Sequence, residues 1–246
     1  MTKILTLSFV LLLGSTILAQ DGESWVTPKP TDYPAIVQSG KNISDFVPKN
    51  FKIVKTVVGD LNNDKVPDAA VHIIGTFKQF LNKNDGLGSE EYDTNPRVLI
   101  ILFRDQASGL YKLAEQSNTF VISPFSPVST EPFQGMSIKN GVLKIDFELW
   151  QSAGSWGATN ASYKFKYIDN EFALIGADRQ DYMRNTGEME KRSYNFLTNR
   201  VNISLGDISS DKTRKNRWKT LKRQNLKTMK TFPIPFEWEI EKDVFI

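Results

Sequence analysis

Met136-Ser137-Ile138-Lys139-Asn140-Gly141-Val142-Leu143-Lys144-Ile145-Asp146-Phe147-Glu148-Leu149-Trp150 decides the fold. From Val142 onward, Leu143, Ile145, Phe147 and Leu149 fall on one side of an extended chain, while Lys144, Asp146 and Glu148 fall on the other. Successive side chains of a strand point to opposite faces, so this spacing predicts a strand with one core face and one wet face. The preceding Asn140-Gly141 suits a two-residue hairpin with positive φ at both central positions, which pairs 136–138 with the new strand.

The same pattern extends in both directions. Tyr163, Phe165 and Tyr167 alternate with Lys164 and Lys166, and after Asp169-Asn170-Glu171 the chain resumes as Phe172 to Gly176, a second hairpin. A third hairpin is expected between 98–104 and 110–115, joined by 105–109. A fourth joins 188–196 to 200–205 through Leu197-Thr198-Asn199. From Val98 to Phe103 the apolar run is unbroken, which suits a strand covered on both faces and is too short for a helix. No strand–helix–strand alternation is present. About ten strands with hairpin connections predict an antiparallel all-β domain, a sandwich or a strongly twisted, partly closed sheet. The loops at 78–95 and 123–134, rich in Gly, Asn, Ser and Pro, are where function would collect.

With 246 residues, 40% hydrophobic, 24% charged and a net charge of +3, the chain can bury a substantial core, which excludes a collagen-like, coiled-coil or wholly disordered protein. It has no cysteine and one histidine, so one copy can hold no thiol nucleophile, disulfide, Cys-based zinc site or multi-histidine metal site. Residues 1–19 place Lys3 ahead of an apolar run to Leu13, then Gly14-Ser15-Thr16 and Ile17-Leu18-Ala19, the layout of a secretory signal peptide cleaved after Ala19. The run is shorter than the ~20 apolar residues that span a bilayer, so no transmembrane segment is expected in the mature protein, which would be periplasmic or secreted. An exported chain without cysteine suits a bacterial envelope.

Residues 20–50, with Pro28, Pro30, Pro34 and Pro48, read as an extended lead-in to a β domain over 51–206. Residues 207–246 form a basic C-terminal segment. Between Asp211 and Lys230 stand nine Lys or Arg and one acid, a surplus of +8 in a chain of net +3, so the remainder carries −5. Lys212, Arg214, Lys215, Arg217, Lys219, Lys222 and Arg223 could meet an anionic envelope surface; export argues against nucleic acid as the partner. Trp218, Leu221, Leu226, Met229 and Phe232 are interleaved with these charges, so the segment is expected to dock its apolar side chains on the β body with its lysines in water.

Gly59-Asp60-Leu61-Asn62-Asn63-Asp64-Lys65-Val66-Pro67-Asp68 carries the chemistry. Asp60, Asn62, Asp64 and Asp68 occupy positions 1, 3, 5 and 9 of a calcium loop, with the Val66 carbonyl at position 7; calcium takes six to eight such oxygens at about 2.3–2.6 Å. Three nearby aspartates repel one another, and a dication relieves this. Position 6 is Lys65 in place of the usual Gly, at about 1 kcal/mol of strain, and Val71 at position 12 excludes an EF-hand. Without an ion the same residues suit a solvated Asn/Asp turn.

This stretch resembles one FG-GAP or VCBS-type repeat, the strand–calcium loop–strand unit of integrin-like propellers and many exported bacterial proteins. A single copy does not build a propeller. Together with Glu131-Pro132-Phe133-Gln134-Gly135-Met136-Ser137-Ile138, Phe172-Ala173-Leu174-Ile175-Gly176 and Asn185-Thr186-Gly187-Glu188-Met189-Glu190, the chain is similar to exported bacterial proteins of unknown function. The resemblance implies Ca2+ as cofactor and no activity.

Other chemistry is sparse. His72 lies in a strand after the loop, with no Gly-x-Ser-x-Gly elbow to serve. Asp146 with Glu148, and Glu188 with Glu190, are same-face carboxylate pairs that a glycosidase could use. Trp150 and Trp156, beside Gly154 and Gly157, could stack a sugar. The sequence therefore describes an exported calcium-binding β module, non-enzymatic, binding an envelope polymer or another envelope protein. The alternatives are a carbohydrate-active or other hydrolytic enzyme and an electrostatic binder acting through 211–230.

Overall fold

The computed structural model describes residues 25–246, without the side chains of 211–213; the leader expected over 1–19 lies outside the described residues. The first sheet is built from β1 (Ser39–Gly40), β2 (Phe51–Gly59), β3 (Asp68–Gly75), β6 (Arg97–Arg104) and β7 (Tyr111–Ser117), in the order β1-β7-β6-β3-β2. Between β3 and β6 a side ribbon pairs β4 (Leu81–Lys83) with β5 (Glu91–Asp93). The second sheet is an unbroken meander in which each strand pairs with the next. Its strands are β8 (Phe133–Lys139), β9 (Val142–Leu149), β10 (Gly157–Ile168), β11 (Glu171–Met183), β12 (Glu188–Asn195), β13 (Arg200–Asp207) and β14 (Ser210–Thr220). A final ribbon pairs β15 (Glu239–Glu241) with β16 (Val244–Phe245). All pairings are antiparallel and neither sheet closes into a barrel, so the chain has the all-β, hairpin-built architecture that the alternation demands. Among the described residues no helix is long and apolar enough to cross a membrane.

The turns follow the local chemistry. Asn140 and Gly141 have φ of 52° and 72°, and Asp169 and Asn170 have 49° and 64°. Positive φ at both central residues gives the turn a twist that matches the strands it joins. Leu143, Ile145 and Phe147 of β9 meet Ala161, Tyr163 and Phe165 of β10, Phe172, Leu174 and Ala177 of β11, and Leu99 and Ile101 of β6 in one core between the sheets. Burying each large apolar side chain contributes about 2 kcal/mol, which fixes the register, since a one-residue slip would turn the whole set outward.

β6 is buried on both faces. Leu99 and Ile101 join the core between the sheets, while Val98, Ile100 and Leu102 face a second cluster with Val71, Ile73, Ile36 and Phe46. The residues around Ile36 and Phe46 thus cover the outer side of the first sheet, and an uninterrupted apolar run is the pattern such a strand needs. At the opposite end of the chain, the basic stretch supplies β14, the edge of the meander, and Leu221, Met229 and Phe232 are buried in the main core. Cations along an unpaired edge oppose its pairing with another chain.

The two sheets approach at a corner where β2 meets β8. A Cβ on Gly59 would stand 2.6 Å from Ile138 Cγ2, and one on Gly141 would stand 3.0 Å from Asn63 Oδ1. The acidic loop sits on this corner, between the end of β2 and the β8–β9 turn.

Candidate functional site

The acidic loop is held from within. Leu61 is fully buried in the main core, pinning the loop's first turn between the sheets. Asp68, also fully buried, accepts the backbone N–H of Leu61 at 2.8 Å and of Asn62 at 3.4 Å on Oδ2, and that of Arg104 at 2.9 Å on Oδ1. One carboxylate therefore joins the loop to the far end of β6. Burial pushes its pKa up, the three N–H groups pull it back, and the Asp64 charge adds to the rise.

The remaining donors point toward water and fold back on the loop. Asp60 accepts Asn63 N–H at 2.7 Å and Lys65 N–H at 2.9 Å; Asn62 Oδ1 accepts Asp64 N–H at 3.0 Å. Asp64 accepts Val66 N–H at 2.7 Å and the Asn62 side-chain amide at 2.9 Å. Asn63 and Lys65 take left-handed φ of 64° and 71°, so Lys65 carries the strain foreseen at position 6. Among the described residues no three His, Cys, Asp or Glu side chains are grouped to hold a metal ion. Of the five expected donors, Asp60, Asn62 and Asp64 share the open side, Val66 follows them, and Asp68 is turned into the protein.

Trp150 and Trp156 come together around a cation that sequence reasoning missed. The Arg184 guanidinium lies 4.6 Å from the Trp150 ring centroid and 5.8 Å from that of Trp156, and donates to the Gln151 carbonyl at 2.8 Å. This internal cation–π contact occupies part of the stacking surface, although Trp156 remains 62% exposed. Asp146 and Glu148 border different depressions. Asp146 pairs with Lys144 at 2.6 Å and borders a depression of about 430 Å³, whereas Glu148 borders a separate one of about 170 Å³ beside Trp150. Glu190 is bonded to Arg192.

His72 is buried between the sheets, its ring edge-on to Phe133 at 4.5 Å, with neither nitrogen hydrogen-bonded. Burial, with a smaller push from Arg97, lowers its pKa to about 3, so it is a neutral core residue. Arg97, equally buried, pairs with Glu131 at 2.7 Å and donates to Ser123 Oγ at 2.8 Å.

A cleft of about 500 Å³ was not foreseen. It opens between strands β11–β14 and the β15–β16 ribbon. Its floor carries Arg179, bonded to Asp181 and to the Phe245 carbonyl, and Arg192, bonded through Nε to Glu190. Glu241 pairs with Lys219, and Arg217, Lys222 and Lys242 line the cleft beside them. Of the seven cations expected on an anionic surface, Arg217, Lys219 and Lys222 line this cleft, and Arg214 pairs with Asp207 at 2.9 Å. Lys215 and Arg223 are exposed, and the Lys212 side chain lies outside the described set.

No protein-family model matches this chain, no curated protein matches it in sequence, and no solved structure matches it. The likeness to an FG-GAP or VCBS-type repeat rests on its motif alone.

Proposed function

We propose that this protein is an exported, non-enzymatic β module of the bacterial envelope whose acidic loop takes a calcium ion and thereby stiffens the corner joining its two sheets. The observation that carries this reading is the loop's position: one short segment touches the core through Leu61, β6 through Asp68 and the β8–β9 turn through Asn63. Asp60, Asn62 and Asp64 would supply side-chain oxygens on the open side and Val66 a carbonyl. Asp68 is already engaged by three N–H groups, so it serves chiefly to fix the loop from below. An ion would have to replace hydrogen bonds that the loop makes to itself, which places its affinity in the weak range of extracellular calcium modules, about 0.1–1 mM.

Melting the mature protein with calcium, magnesium and chelator tests this. At about ten times the dissociation constant, calcium should contribute roughly 1.4 kcal/mol and raise Tm by about 4 °C. Asp64→Ala should abolish the rise. Identical melts in all three conditions would overturn the reading.

A further inference from the structure

We propose that the outward face of the seven-stranded meander binds an extended, uncharged glycan, with Trp218 as its stacking platform. The composition of that face is the first observation. At positions of β10–β13 turned away from the core, Ser162, Asp178, Ser193 and Asn202 stand opposite one another in register across four strands. Asn and Asp are poor strand formers, and side chains this short cover little of their neighbours. The face therefore holds a depression of about 430 Å³ where longer side chains would have filled the surface.

Within the depression the polar groups divide into a fixed row and an open one. Asp178 accepts Ser162 Oγ at 3.3 Å and Ser193 Oγ at 2.6 Å and pairs with Lys164, so its row is bonded to itself. In the next row Asn160 and Gln180 are opposite in register, and neither side-chain amide has a hydrogen-bond partner among the described residues. Each amide offers donors and an acceptor together, the mixture that sugar hydroxyls require.

The edge strand β14 supplies a second, independent observation. Lys215, Arg217 and Lys219 oppose Leu205, Ile203 and Val201, on the side of the core, whereas the outward positions between them and beyond are Asn216, Trp218 and Thr220. A strand dense in cations thus presents none of these three outward. Asn202 Nδ2 donates to Asn216 Oδ1 at 2.6 Å, which continues the amide floor to the edge. Trp218 stands opposite Asn202 and is 60% exposed, with the Arg200 guanidinium 4.7 Å from its ring centroid. A flat ring backed by a cation and open to water is a platform for the C–H face of a sugar.

The charges argue for a neutral occupant. Asp146 pairs with Lys144 and Asp178 with Lys164, while Arg179 and Arg192, at the alternate, inward positions of their strands, pair with Asp181 and Glu190. Lys191 is left at the lining, and Glu148, in register with Asn160, balances it. From Asn160 on β10 to Trp218 on β14 lie four strand spacings, about 19 Å, which is room for several sugar units.

The inference does not rest on the calcium loop, and its test is run in chelator so that the two can fail separately. Cellohexaose, chitohexaose, maltohexaose and, as an anionic control, hexagalacturonate are titrated into the full mature protein at near-physiological salt by calorimetry and tryptophan fluorescence. At least one neutral hexasaccharide should bind with Kd below about 1 mM and at least about tenfold more tightly than its disaccharide. Trp218→Ala should weaken that binding about tenfold with Tm unchanged, while Trp218→Tyr, which keeps a flat ring, should retain most of it. Asn160→Ala/Gln180→Ala should weaken it about fivefold, through the hydrogen bonds lost to the sugar. Absence of binding by all three neutral probes at about 5 mM, hexagalacturonate binding as well as they do, or a Trp218→Ala variant that binds like the parent would each overturn the proposal.

Discussion

The acidic loop and the basic cleft are both dense in charge, yet they handle their polar groups in opposite ways. In the loop every side-chain oxygen of Asp60, Asp64 and Asp68 accepts at least one hydrogen bond from the loop or its neighbours. Around the cleft Asp181, Glu190 and Glu241 pair with Arg179, Arg192 and Lys219, while Arg217, Lys222 and Lys242 stand exposed at its lining. A polar cluster that satisfies itself is part of the scaffold, whereas exposed cations stay solvated and contribute little to it. In the proposed reading calcium at the loop reinforces a corner that the loop's own hydrogen bonds already hold.

The largest effect that separates the two regions comes from Asp68. Asp68→Ala strips the acceptor from the N–H groups of Leu61, Asn62 and Arg104, two of them on buried or half-buried backbone, and should cost roughly 3–5 kcal/mol in urea unfolding. A loss below about 1 kcal/mol would mean that the corner does not depend on this carboxylate.

His72 gives the next effect, and it depends on pH. Its folded pKa of about 3 lies below the unfolded value, so between these limits the unfolded chain binds a proton that the folded chain refuses. Stability is lost as the pH falls from about 6.5 toward 3, by about 2 kcal/mol between pH 7.5 and pH 5. His72→Leu should flatten this slope. Asp68 contributes with the opposite sign, because a raised carboxyl pKa means that the folded state takes up its proton first; comparing variant with parent isolates the histidine.

Gly141→Ala should cost about 1 kcal/mol, measured by thermal melting, because φ is 72° and the added methyl would press on Asn63 at 3.0 Å.

The hairpins were legible because their information is local. Asn140-Gly141 and Asp169-Asn170 name their turns, and Leu143, Ile145 and Phe147 name the buried side of β9. The double burial of β6 was legible from the unbroken run Val98 to Phe103. The strand β14 was not read as such, since Lys and Arg along an edge carry no core face to betray the period. The cleft depends on the β15–β16 ribbon packing over strands tens of residues earlier, and no local pattern encodes that. Arg184 between the two tryptophans was hidden for the same reason. At the acidic loop, oxygen-bearing side chains at alternate positions serve an ion and a set of turns equally well. What the sequence could not convey was that Asp68 turns inward to hold Arg104.

The most direct test of the loop's role is a calcium titration of the mature protein alongside the double variant Asp60→Asn/Asp64→Asn. One calcium should bind per chain in the range of about 0.1–1 mM, and the variant should lose that binding while melting like the parent in chelator. No saturable binding up to about 10 mM, or binding that survives the double substitution, would contradict the account.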